Sequence, residues 1–274
     1  MLLPLTTEGI GGLPGIDLSW LISQLASYMM ASLRIGAFMI SAPLLGARWL
    51  PLQARIIMAF MLSGIVFHHA APLSAEDIAS ASGVIMMAME IAIGLAGGLV
   101  LTIWFSAVLL AGEKIASTAG LGYAAQMDPI SGGQTPVVSQ TLYLFLMVIF
   151  LSVDGHLLAI HTMLESYRIL PIGNLPNPGA MLSAGIDAAG AMFFAATIIM
   201  TPVAIILLMV NVSIGIITRS APQLNLFSFG FPITLLVVFI ILYFSVGTIA
   251  ESMRDLVDEA INSLQQMIGE MANG

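Results

Sequence analysis

The stretch AAGAMFFAATIIMTPVAIILLMVNVSIGIIT, residues 188–218, contains 31 residues and no charged side chain. A second run of 31 residues, 220–250, is also free of charge. As continuous helices, such runs would each extend about 46 Å. The hydrocarbon core of a bilayer is only about 30 Å thick. We therefore expect tilted or broken membrane helices, or helices that pack inside a larger assembly.

The composition of the whole chain supports an integral membrane protein. Of its 274 residues, 59% are hydrophobic and 8% are charged, whereas ordinary globular domains contain about 25% charged residues. The sequence has no cysteine, which excludes disulfides, thiolate metal sites and cysteine nucleophiles. Its seven Lys and Arg residues are too few and too dispersed for nucleic-acid binding, which requires clustered basic side chains.

Charged and turn-forming residues divide the chain into six long hydrophobic segments, which predict an all-α, polytopic membrane fold. The segments cover about 18–44, 52–71, 84–111, 137–164 and 180–218, and the last begins near Pro232. Proline predicts helix breaks at Pro202, Pro222 and Pro232. Lys and Arg concentrate after the first, third and fifth segments, with Arg168 after the fourth as the one exception, and the positive-inside rule then predicts an outward-facing N-terminus.

Arg34 and Glu90 lie within apolar segments, where charges are costly and are usually paired or turned to a water-filled cavity. A structural ion pair is the simpler interpretation, and a proton or ion relay is the alternative. The further polar residues assigned to these segments are Glu113, Asp154, His156, Asn211 and Arg219. The four histidines show no metal-ligand spacing, and no nucleotide-binding or nucleophile motif occurs. We predict neither a cofactor nor catalysis.

The segment AGEKIASTAGLGYAAQMDPISGGQTP, residues 111–136, separates two apolar segments. Its polar backbone cannot face lipid, so it must reach water, be buried in protein or line a cavity. Loops of this length are often functional. The residues by themselves leave two alternatives open, a solvated connection and a gate or re-entrant element.

The residue pattern changes near the C-terminus. Beyond about Ser252, apolar residues recur at helical spacing between acidic ones, which predicts an amphipathic helix packed on its own protein or on a partner. These apolar residues are Leu256, Ala260, Leu264, Met267 and Met271. We accordingly divide the chain into a single membrane domain, 1–250, and an acidic C-terminal helix, 251–274.

Four stretches resemble the FliR family, the R component of the type III protein-export gate. They are RIGAFMISAPLLGARWLPLQARI at 34–56, AGEKIASTAGLGYAAQMDPISGGQTPVV at 111–138, DGHLLAIHTMLESYRILPIG at 154–173 and TRSAPQLNLFSFGFPITL at 218–235. The second and fourth are highly specific together. The DPISGGQTP portion favours a flagellar protein over a virulence-type injectisome.

The resemblance implies a pore subunit that passes unfolded flagellar proteins across the bacterial inner membrane, in the flagellar basal body. It implies partners of the FliP, FliQ, FlhB and FlhA types, besides membrane lipid. In an inner membrane, the outward-facing N-terminus predicted from the loop charges of this multi-pass chain is periplasmic. It also implies that residues 112–136 plug the pore. The candidate plug residues are Gly120, Leu121, Gly122, Tyr123, Met127, Asp128, Pro129, Gly132, Gln134 and Pro136.

Within this plug, Leu121, Tyr123 and Met127 are the candidates for an apolar seal. A small-solute secondary transporter is the alternative from another class. It would require two related halves with paired helix interruptions, and no convincing internal repeat is present.

Overall fold

The computed structural model describes residues 18–47, 50–67, 80–120, 137–221 and 230–273, and all regular structure in these ranges is helical. This confirms the predicted all-α fold. The helices are α1 (Leu18–Ser41), α2 (Leu52–Phe67), α3 (Ala81–Thr118), α4 (Val137–Ser152), α5 (Gly155–Ile169), α6 (Pro178–Ser220) and α7 (Phe231–Asn273).

Three of these helices, α3, α6 and α7, are long and apolar enough to cross a membrane. The number rises to four if α4 and α5 together form one broken span. Helix α2 has only 16 residues, fewer than the roughly 20 that a span needs. Within the described residues, each predicted hydrophobic segment is helical, and residues 68–71 of the second segment lie outside them.

The fourth predicted segment is divided into α4 and α5, which are bent by 65° at a short break. Asp154 lies in this break with φ +56°, a left-handed conformation that Asp tolerates better than most residues. Gly155 follows, and a Cβ there would lie 2.5 Å from the Phe150 ring. A polar left-handed residue followed by a glycine therefore ends α4 and redirects the chain.

The start of α6 is capped by its own sequence. Asn177 Oδ1 accepts a hydrogen bond of 2.9 Å from the Gly179 N–H, and Pro178 occupies the first helical position. The Asn177 N–H donates to the Met271 carbonyl, 3.1 Å away near the end of α7. One asparagine thus satisfies backbone groups at the ends of two helices.

Helix α6 continues through Pro202, where the sequence predicts a break. A proline removes one backbone donor, and apolar helices of this length tolerate that loss. The break predicted near Pro232 agrees with the start of α7 at Phe231. Pro222 lies outside the described residues.

The chain divides into two compact units, which we describe separately. The first comprises residues 1–102, 157–185 and 263–274. In it, a Cβ on Gly98 of α3 would lie 2.6 Å from the Ala42 backbone nitrogen, and one on Gly94 would lie 2.8 Å from Ala37 Cβ. Glycine on α3 therefore lets the end of α1 approach very closely.

The C-terminal residues of α7 pack on the chain itself. All five residues of the predicted apolar stripe are buried, with exposures between 0% and 3%. Leu264 lies against Gly97 of α3, where a Cβ would come within 3.2 Å of the Leu264 Cδ1. The acidic residues Asp255, Asp258 and Glu259 are exposed on the other side. Of the two predicted alternatives, packing on its own protein is the one present here.

The second unit comprises residues 103–156 and 186–262. Helices α3 and α4 meet there through the Phe105 and Phe150 rings, whose centroids are 5.0 Å apart at an interplanar angle of 78°. Nearer the end of α3, Gly112 faces the Ser139 backbone of α4. This second contact places the end of α3 beside the beginning of α4.

We predict that Gly98→Ala destabilises the protein by about 1–3 kcal/mol, because the added methyl meets backbone atoms that cannot move aside. Gly190→Ala is the matched control, since nothing lies within 4 Å of its Cβ position in α6. The control should be neutral or stabilising by up to about 1 kcal/mol. Thermal unfolding of the purified protein in detergent measures both. Equal effects of the two substitutions would contradict the close approach at Gly98.

Candidate functional site

Arg34 is a fully buried cation in the first unit, with 0% of its side chain exposed. It lies on α1, and its Nε and Nη2 donate to the two carboxylate oxygens of Glu90 on α3, at 2.7 and 3.0 Å. This two-pronged geometry is the strongest form of an Arg–carboxylate pair. Glu90 is itself only 2% exposed, so water can supply little of the charge stabilisation.

Helix α5 completes the coordination of Arg34. Nη1 donates to the Ser166 hydroxyl at 3.0 Å and to the Leu170 carbonyl at 3.1 Å. The guanidinium carbon lies 4.1 Å from the centre of the Tyr167 ring, a cation–π distance. The Tyr167 hydroxyl in turn donates to the Ala31 carbonyl at 2.6 Å. One cation thus connects α1, α3 and α5.

This arrangement is that of a structural centre. Four of the five N–H groups of Arg34 have acceptors in the chain. A relay would need further ionisable groups in sequence, and Glu90 is the one acid that Arg34 pairs with among the described residues. Sequence reasoning identified Arg34 and Glu90, but it missed Ser166 and Tyr167, which lie on an unremarkable part of α5.

The second candidate site lies in the second unit, where α3 ends and residues 121–136 begin. Gly120 has φ +82°, the left-handed conformation that commonly ends a helix and that glycine adopts without strain. The Asn211 side chain of α6 donates from Nδ2 to the Thr118 carbonyl, 3.1 Å away. Asn211, predicted only as an intramembrane polar residue, therefore contacts the last residue of α3.

The remaining predicted polar residues are separate from both sites. Glu113, Asp154 and Arg219 are exposed. His156 is partly buried, its Nδ1 has no hydrogen-bond partner among the described residues, and its ring centroid lies 6.4 Å from that of Phe150. In the ranges that the structure describes, no group of three His, Asp or Glu residues could hold a metal ion.

Gly120 is the one candidate plug residue within the described ranges. The others lie outside them: Leu121, Gly122, Tyr123, Met127, Asp128, Pro129, Gly132, Gln134 and Pro136. The plug remains a prediction, and the described residues that adjoin it are Gly120 after α3 and Val137 at the start of α4. Gly112 and Ser139, which sequence reasoning did not single out as a pair, join α3 to α4 on either side of the segment.

Comparison with known proteins identifies the class. The pattern of the family "Bacterial export proteins, family 1" matches residues 25–260. The flagellar biosynthetic protein FliR of Escherichia coli (strain K12) is 33% identical over 92% of this chain and 96% of its own. The protein of that name from Bacillus subtilis (strain 168) is 29% identical over 90% and 96% of the two chains.

A third relative, the flagellar biosynthetic protein FliR of Aquifex aeolicus (strain VF5), is 29% identical over 86% of this chain and 90% of its own. An all-helical chain with several candidate spans and a buried ion pair is, as a class, a polytopic membrane protein. The chain belongs to the bacterial export proteins, family 1, and the predicted resemblance to FliR is confirmed.

We predict that Glu90→Gln destabilises the protein by about 3–5 kcal/mol, because it leaves the buried Arg34 without its counter-ion. The double variant Arg34→Met with Glu90→Met should recover much of this loss, since it removes both charges. The measurement is unfolding of the purified protein in detergent.

The exposed pair of Glu165 and Arg168 provides the control. Their atoms are 3.2 Å apart, and the side chains are 39% and 77% exposed. Glu165→Gln should change stability by about 0–1 kcal/mol, since water screens such pairs. A Glu90→Gln variant as stable as this control would show that the buried pair does not stabilise the fold.

Proposed function

We propose that this chain is a pore subunit of the flagellar type III export gate, which passes unfolded flagellar proteins across the bacterial inner membrane. Family membership over residues 25–260 is the observation that carries the proposal. The relatives named above are all flagellar biosynthetic proteins, which favours the flagellar gate over an injectisome. Such a subunit needs no catalytic group, because other parts of the apparatus would supply the energy.

The exposed surface of α6 supports assembly with other membrane subunits. Large apolar side chains are exposed from Ile186, at 63%, to Ile217, at 43%. This distance along a helix is about 46 Å, and a hydrocarbon core of about 30 Å cannot cover it unless the helix tilts strongly. Apolar helices of neighbouring subunits would cover the remainder. FliP-, FliQ-, FlhB- and FlhA-type proteins are the proposed neighbours.

The proposed orientation has the N-terminus in the periplasm. If all six hydrophobic segments cross the membrane, Arg55 at the start of α2, Lys114 near the end of α3 and Arg219 in the last turn of α6 lie on the cytoplasmic side, as the positive-inside rule favours, and Arg168 is the one exception. Beyond about Ala250, the exposed side chains of α7 change from apolar ones to acidic ones. This part of α7 therefore forms an acidic C-terminal element that reaches water.

Residues 112–136 are the proposed pore closure. The segment is rich in glycine and carries the apolar residues Leu121, Tyr123 and Met127. Such side chains can pack across a narrow passage, and a flexible thioether such as that of Met127 can deform and pack again. The closure would hold back ions and still yield to an unfolded chain.

We expect deletion of residues 121–130 to raise ion leak through the assembled gate, because the apolar seal is removed while α3 and Gly120 remain. Single substitutions Leu121→Ser, Tyr123→Ser and Met127→Ser should each raise it less, and Ala124→Ser is the matched control. Membrane conductance in cells that express the complete gate measures the effect. Background conductance in an assembled deletion variant would refute the closure.

Co-expression with P- and Q-type subunits tests the assembly. We expect a stable complex to co-purify, and we expect Phe194→Ala to weaken it about tenfold or more, because this ring is 70% exposed and has the character of an interface residue. Gln265→Ala, on the exposed polar side of α7, should leave the complex intact. A lone monomer that binds a small solute would instead support a transporter.

A further inference from the structure

A small cavity lies between α6 and α7 in the second unit, at the level of Pro202. Its volume is about 60 Å³, and one water molecule needs about 10–15 Å³ of such space. The apolar part of its wall is buried and consists of Ile199, Val203 and Ile249. Pro202 and Thr248 also line the cavity and are exposed. The cavity therefore has room for water and opens at the surface of the subunit.

Pro202 leaves one carbonyl of α6 without its usual donor. In an α-helix the carbonyl of residue i accepts the N–H of residue i+4 and points along the helix toward it. Pro202 has no N–H, so the Ile198 carbonyl lacks this partner. Ile198 and Pro202 both line the cavity, which places the carbonyl between them at its wall. Apolar helices tolerate proline where a neighbouring hydroxyl or an ordered water satisfies the freed carbonyl.

Three hydroxyl side chains line the same cavity from α7, those of Ser245, Thr248 and Ser252. Their spacing of three and then four residues puts them on one face of the helix. Hydroxyls in apolar helices commonly donate to a carbonyl one turn earlier, as Thr197 and Ser213 of α6 do at 2.8 and 2.9 Å. Within the part of the chain that the structure describes, the three hydroxyls of α7 have no hydrogen-bond partner. They are therefore available to a molecule in the cavity.

We propose that this cavity binds ordered water, which bridges the Ile198 carbonyl of α6 to the hydroxyls of α7. Water suits both walls, because it can donate to the carbonyl and exchange further hydrogen bonds with the hydroxyls. A lipid acyl chain in the same space would satisfy neither. The bound water replaces the helix hydrogen bond that Pro202 removes, and it links two helices through polar contacts. This explains how α6 continues through a proline.

A double-mutant cycle on the purified full chain in detergent tests the bridge by denaturant unfolding. The triple substitution Ser245→Ala, Thr248→Val and Ser252→Ala removes the hydroxyls. We expect it to lower the folding equilibrium constant about two- to tenfold, as the loss of one hydrogen bond does. Pro202→Ala returns an N–H to the Ile198 carbonyl, so the triple substitution should have a smaller effect in that background. Equal effects in the two backgrounds overturn the proposal.

Two hydroxyls outside the cavity provide matched controls. Thr234 of α7 donates to the Gly230 carbonyl at 2.9 Å, and Ser213 of α6 donates to the Met209 carbonyl at 2.9 Å. Thr234→Val and Ser213→Ala should each have the same effect on stability with and without Pro202→Ala. Coupling to Pro202→Ala as large as that of the triple substitution would reveal a general effect of the proline and contradict the bridge.

A crystal or cryo-EM structure of the unsubstituted full chain, alone or with P- and Q-type subunits, decides the question even if a variant does not fold. We expect density for water about 2.5–3.0 Å from the Ile198 carbonyl oxygen and from at least one of the three hydroxyls. An acyl chain or a neighbouring side chain in the cavity overturns the proposal. So does the absence of water density there in a map that shows ordered water elsewhere in the subunit.

Discussion

The buried positive charge of Arg34 constrains how the first unit can fold. A guanidinium with no exposure to water is tolerated only where a carboxylate and further acceptors surround it. Glu90 supplies the carboxylate from α3, and Ser166 and the Leu170 carbonyl supply acceptors from α5. These directional contacts fix the register of three helices, which apolar packing alone would leave less well determined.

Glycines on the side of α3 that carries Glu90 allow close packing of helices in the first unit. Gly94 and Gly98 come one and two helical turns after Glu90, and both let α1 approach to backbone distance. Gly97 admits Phe38, Met163 and Leu264, from α1, α5 and the end of α7. Charge pairing thus sets the register, and small residues allow the short distance that the pairing needs. Together the ion pair and the glycines hold these helices in contact, in a chain that exposes many large apolar side chains.

The chain combines many exposed apolar side chains with a buried polar centre around Arg34. Exposed residues such as Phe194 and Phe244, at 70% and 80%, would be unfavourable in water and suit lipid or neighbouring helices. A subunit of an export gate needs both properties, because it must hold its own fold while other proteins cover its sides. The hydrogen bond from Asn211 to the Thr118 carbonyl joins α6 to the end of α3 in the second unit.

The sequence by itself determined the membrane class, the helical segments, the buried face of the C-terminal helix and the family. These features depend on composition, periodicity and local motifs, which are readable along the chain. Tertiary structure alone decided which groups meet. Arg34 and Glu90 are 56 positions apart, and Thr118 and Asn211 are 93 apart. Nothing local encodes such pairings, because they depend on how whole helices pack.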